Sequence, residues 1–198
     1  MNYDINVDLF DLKKLFIEDL DEAIRYEQYL HRTGKFKDCT KKHYDDDRER
    51  SIDHLINMIN GGMKQEMWFE ERYKFLNIKP LQPLGIINPH LTKKDKNEPD
   101  FVKIDNNETV EFKWCDTDIY MEDYDTLYVK KECWVPASPE DLHNADRVIV
   151  VKLENETLYE YEFIRKGEYY DFFRKFELKH HLLDKYNKYK VCKNLSNT

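Results

Sequence analysis

The sequence predicts an α/β fold: a mixed β-sheet of about four or five strands, helices on its faces, and an N-terminal helical extension. Three observations support this. Apolar residues recur at helical spacing through most of the first 77 positions. Short apolar runs parted by turn-favouring residues fill the middle of the chain, and a basic, helix-like stretch closes it. With 198 residues, 14% aromatic and only 5 glycines, the chain is long enough for one domain with a real core.

Taken in order, Leu9, Leu12, Phe16, Leu20, Ala23 and Leu30 mark an amphipathic helix from Asp8 to about His31, widened by Leu15, Ile24 and Tyr26. Residues 33–50 are polar and charged, the best candidate for a linker. Within them Cys39 and His43 stand four apart, a spacing that is usually incidental. A second helix fits Arg50 to Asn60 and should stop at Gly61-Gly62. A third, about Met63 to Asn77, places Glu66 at the head of a stripe made by Phe69, Tyr73 and Leu76.

Ile78 to Ile87 reads as one extended strand, and its two prolines assign it to an edge or a bend. A polar loop with Lys93, Lys94 and Lys96 leads to the most informative stretch, Glu98 to Trp114. There two apolar runs flank Asp105-Asn106-Asn107-Glu108, so the segment reads as a β-hairpin. Glu111 and Lys113, two apart, share one face of the second strand, while Val110, Phe112 and Trp114 take the other. Folding the hairpin brings Asp100 near that pair.

Asp100 and Glu111 offer hard oxygen ligands of the kind Mg²⁺ takes, with the Phe112 carbonyl as a further oxygen and Mn²⁺ as a substitute. Lys113 can orient a water or neutralise charge on a phosphate. The cluster therefore suits metal-assisted phosphodiester hydrolysis.

Pro99-Asp100 … Glu111-Phe112-Lys113 resembles the PD-(D/E)xK nuclease signature of many restriction endonucleases, phage exonucleases and archaeal Holliday junction resolvases. The resemblance implies a restriction-endonuclease-like core over 63–198, with 1–62 as a helical extension. It implies Asp100, Glu111 and Lys113 as catalytic residues and a helical glutamate as helper, Glu66 or its rival Glu70. Farther on, the strand Leu127–Trp134, the Ala145-Asp146 step into Arg147–Leu153 and the strand Leu158–Arg165 are similar to phage and prophage nucleases. The likeness covers roughly residues 63–175. It implies a Mg²⁺-dependent deoxyribonuclease, endonuclease or else resolvase or exonuclease, with DNA as partner; a homodimer would suit double-strand cutting. A catalytically silent module of the same fold, acting as a protein-binding or regulatory phage or host protein, is the alternative.

The net charge of −8 is unusual for a nucleic-acid binder, but its distribution is uneven. Residues 99–146 hold 13 acidic and 4 basic residues, whereas 147–198 hold 8 acidic and 11 basic. The segment after Glu168 is expected to be a basic helix, with Lys185, Lys188 and Lys190 contributing to nucleic-acid binding. No apolar run is long enough to span a membrane and the N-terminus lacks a basic-then-apolar signal, so a cytoplasmic protein is expected. Its four cysteines are scattered, without metal or disulfide spacing. The richness in Lys, Asn, Ile, Tyr and Asp fits an AT-rich genome, and the small size a phage or mobile element.

Overall fold

The structure, a computed structural model, describes residues 7–32, 48–81, 86–87, 98–115, 119–122, 126–129 and 142–192. It has two compact units. One is Met1–Glu66 with Pro83–Lys96 and Tyr189–Thr198; the other is Met67–Gln82 with Asn97–Lys188. Cys39, His43, Lys93, Lys94 and Lys96 lie outside the described residues.

The first unit is mainly helical. Strand β1 (Val7–Asp8) pairs antiparallel with β3 (Ile86–Ile87). The single N-terminal helix expected from the apolar stripe is two helices, α1 (Leu9–Glu18) and α2 (Leu20–Arg32). Asp19 makes the break, because its carboxylate accepts the Glu22 N–H at 2.8 Å and so caps α2. Leu12, Ala23, Ile24 and Tyr26 from these helices are buried.

The next difference is larger. The helices expected on either side of Gly61-Gly62 are one continuous helix, α3 (Arg48–Leu76). Glycine in a helix interior costs about 1 kcal/mol, too little to stop one whose apolar face is anchored on both sides. Ile52, Leu55, Ile59 and Met63 supply that anchoring; all four are essentially inaccessible to solvent. Gly61 is exposed, and a methyl group there would meet nothing within 4 Å. Gly61→Ala is therefore expected to stabilise the protein by about 0.5–1 kcal/mol, read as a raised thermal midpoint with unchanged helical circular dichroism. A lowered midpoint would mean that the glycine serves packing.

The second unit is built on a mixed sheet. Its strands are β2 (Ile78–Pro80), β4 (Phe101–Lys103), β5 (Thr109–Cys115), β6 (Ile119–Glu122), β7 (Thr126–Val129), β8 (Arg147–Glu154), β9 (Thr157–Lys166) and β10 (Tyr169–Glu177), ordered β2-β4-β5-β8-β9-β10-β7-β6. This is an α/β architecture with more strands than expected. Every neighbouring pair is antiparallel except β5–β8. The stretch expected as one strand over 78–87 is divided between β2, at the edge of this sheet, and β3. Of the strand expected at 127–134, residues through Val129 belong to β7, and residues 130–141 lie outside the described ones.

The largest correction is β10, because the sequence predicts helix throughout from about Glu168 onward. Instead Gly167, at φ 67°, turns the chain back, and Tyr169–Glu177 pairs along β9 before α4 (His180–Tyr189) begins. A β-bulge between Phe172 and Arg174 hides the strand from a reading of periodicity. The extra residue breaks the alternation of apolar and polar positions.

The sheet separates two layers. On one face, Trp68 of α3 packs on Phe112 and Phe101 at ring distances of 4.4 and 5.5 Å, and Tyr186 of α4 lies 5.8 Å from Trp114. On the other, Cys115, Val148, Val150, Tyr161, Phe163 and Tyr170 form an apolar cluster with Leu142. Among the described residues, no helix is long and apolar enough to cross a membrane.

Candidate active site

The hairpin β4–β5 pairs Phe101 with Val110 and Val102 with Thr109. Where the ladder ends, the Asp100 side chain takes over: its Oδ2 accepts the Phe112 N–H at 3.0 Å. Its backbone carbonyl accepts the Leu81 N–H at 3.0 Å, which ties it to the edge strand as well. Asp100 is thus held against β5, one residue from Glu111.

Glu111 points from β5 into the layer of the apolar cluster, in line with Val148 and Phe163 on the neighbouring strands. It is fully buried. Its Oε1 accepts a hydrogen bond from the Lys113 amine at 2.5 Å, and its Oε2 lies 3.2 Å from Nδ1 of His143. Burial pushes the Glu111 carboxyl up, but the contacts with His143 and Lys113 outweigh it and hold the group below its ordinary value. It is therefore a carboxylate inside an apolar layer, an arrangement that costs stability unless ion pairs and hydrogen bonds compensate.

The sequence reading missed His143. It belongs to a tight loop in which His143 and Asn144 have φ of 54° and 53°. That conformation is sparsely populated and persists where surrounding contacts over-determine it. The loop has such contacts. Tyr170 Oη donates to the Ala145 carbonyl at 2.8 Å, and Arg165 Nη1 to the Asn144 carbonyl at 3.0 Å. Asp146 Oδ2 accepts from both the N–H and the hydroxyl of Thr109, at 2.9 and 2.8 Å, which locks β8 beside β5. The signal for His143 in the sequence is only a histidine among turn residues ahead of an apolar strand. Its meaning depends on the parallel β5–β8 register, which periodicity does not disclose.

His143 is shifted up, chiefly by its hydrogen bond to Glu111; burial and the Lys113 charge oppose the shift, while the charges of Glu111 and Asp100 support it. A raised histidine stabilises the fold fully below its unfolded value, near 6.5, and loses that contribution as pH rises through the folded value. A depressed glutamate does the reverse, contributing above its ordinary 4.5 and losing the contribution as pH falls through the folded value. The pair therefore contributes most between those limits. Nuclear magnetic resonance of the His143 ring should show a midpoint above 6.5, returning toward it in Glu111→Gln. An unshifted midpoint would dissolve the pair.

No family model matches this chain, and no curated protein or solved structure matches it. The site has to be read from its own chemistry.

The remaining expected site residues are distributed as follows. Glu66 lies within α3 and is half-buried. Glu70, its rival, is bound to the Lys185 amine, and Glu71 beside it to His181 at 2.8 Å. Those contacts join α3 to α4 and commit Lys185, expected to meet nucleic acid, to an intramolecular ion pair. Lys188 and Lys190 are exposed. Among the described residues, no group of three or more His, Cys, Asp or Glu is arranged to hold a metal ion. A cation here would rest on Asp100, Glu111, a backbone carbonyl and water. That set consists of hard oxygens, which suits Mg²⁺, an ion that keeps several waters and takes one or two carboxylates. A dication there would add its positive charge to that of Lys113, which already pairs with Glu111.

Proposed function

We propose that this chain is a divalent-cation-dependent phosphodiesterase acting on DNA, with Asp100, Glu111 and Lys113 as its reactive core. The observation behind this reading is a charged, fully buried Glu111 held between the Lys113 ammonium and the His143 ring beside Asp100, where β4 and β5 part. Buried carboxylates held ionised by specific partners concentrate at reactive sites. The PD-(D/E)xK likeness of the same residues points to the same chemistry.

Asp100 and Glu111 would hold Mg²⁺ through their carboxylates. When bound, the ion supplies Lewis-acid stabilisation of charge developing on the phosphate. Lys113 lies on the Glu111 face of β5 and offers its ammonium to the attacking water or to a phosphate oxygen. Through Nδ1, His143 fixes the Glu111 carboxylate, acting as a positioning residue. The surrounding apolar cluster keeps bulk water from the far side of Glu111 and strengthens each of these interactions.

Plasmid DNA incubated with the protein should be cut with Mg²⁺ or Mn²⁺ and remain intact with a chelator. Titration calorimetry should show the cation binding to wild type and not to Asp100→Asn, whose amide is a weaker ligand. Undiminished affinity in Asp100→Asn would remove that residue from the site.

A catalytically silent module is the second reading. It is favoured by one observation: the Lys113 ammonium already pairs with Glu111, and the His143 ring already contacts it, without a cation. Intact plasmid under every metal condition would decide for it.

A further inference from the structure

The sheet face opposite Glu111 carries a second construction that the cleavage reading does not use. Glu160 and Glu162 on β9 are fully buried there. Glu160 accepts from Trp68 Nε1 at 2.8 Å and from both Arg72 Nε and Nη2, at 3.0 and 2.9 Å. Glu162 accepts from Arg147 and Arg174, each at 2.8 Å. The carboxylates hold three guanidinium groups between aromatic rings. Arg72 lies 5.6 Å from the centre of the Phe75 ring and 5.5 Å from that of Phe176. Arg174 lies 4.6 Å from Phe176 and 5.2 Å from Phe173, and Arg147 lies 5.2 Å from Phe173. The result is an unbroken alternation: Phe75, Arg72, Phe176, Arg174, Phe173, Arg147.

The bulge in β10 makes this alternation possible. Without it Phe173 and Arg174 would point to opposite faces of the sheet. With it, both oppose Glu162 and serve the same array. The rings are also open. Phe75 is 77% exposed and Phe173 50%, although neighbouring aromatics such as Trp68 and Phe101 are fully buried. Charge does not quite cancel: Arg72, Arg147, Arg174 and Lys103 face three carboxylates, Glu160, Glu162 and Glu108. The half-exposed Arg174 shares its one carboxylate with Arg147.

We propose that this ladder is a platform for single-stranded nucleic acid, with unpaired bases stacking on Phe173 and Phe75 and a backbone phosphate on the open edge of Arg174. A nucleotide repeat offers a planar π-face together with an anion, the two features that the ladder alternates. An acidic peptide offers only the anion. A duplex keeps its base faces stacked inside. Guanidinium groups already fixed by buried carboxylates lose little freedom on binding.

The test is fluorescence anisotropy of a labelled oligothymidylate with the full chain, in chelator so that nothing is cut. Wild type should bind saturably. Phe173→Ala and Phe75→Ala should each weaken binding about tenfold, and Arg174→Lys comparably, since lysine lacks the planar fork. Both phenylalanines are exposed, so thermal midpoints near wild type will show the variants folded. A duplex of equal length should compete poorly. Absence of wild-type binding, equal affinity in the phenylalanine variants, or a duplex bound as tightly as the single strand would each overturn the platform. Plasmid cutting by the same preparations separates the two readings. Cutting without oligothymidylate binding removes only the platform; binding without cutting removes only the nuclease.

Discussion

Replacing Glu111 with glutamine is expected to lower the proposed cation-dependent DNA cutting by about a thousandfold or more, the scale on which single electrostatic groups act in preorganised sites. The substitution preserves shape and removes the charge. It takes away one of the two carboxylates proposed to hold the cation, and the charge that Lys113 and His143 contact. It should not unfold the protein, because a neutral amide costs less to bury than a carboxylate, and its oxygen can still accept from Lys113. Cleavage and thermal midpoint should therefore separate. Lys113→Ala should lose most cutting while binding cation nearly as wild type, since an ammonium is no metal ligand. Substantial cutting by Glu111→Gln would exclude this site from the reaction.

The largest effect on stability is expected from Glu160→Ala. That carboxylate is fully buried and accepts three hydrogen bonds, from Trp68 and Arg72. Removing it strands those donors beneath α3, and breaking a buried ion pair from one side costs about 3–5 kcal/mol. Against a typical total of about 5–15 kcal/mol, that is a large fraction. At roughly 2–4 °C per kcal/mol for a chain of this size, the thermal midpoint should fall by about 10 °C. Glu160→Met combined with Arg72→Met should recover much of the loss, since neither charge then remains in an apolar layer. A fall below about 1 kcal/mol in Glu160→Ala would show that solvent already compensates Arg72.

Much of this was legible in the residues alone. The alternation of Glu111 and Lys113 with Val110, Phe112 and Trp114 placed the two polar groups on one face of β5, and the chain folds that way because successive side chains in a strand must alternate. The hairpin over 98–114 and the apolar strand at 147 were equally plain, being local patterns bounded by turn residues. Other features depend on partners distant in sequence. Continuity of α3 through Gly61-Gly62 came from buried residues on both sides outweighing a small propensity cost. Strand β10 looked helical because a bulge broke its period of two, and only pairing with β9 reveals it. His143 reaches Glu111 because β5 and β8 run parallel, with Asp146 clipped to Thr109. Local alternation determined which faces carry the carboxylates; long-range register, set by strand pairing and buried ion pairs, decided what meets them.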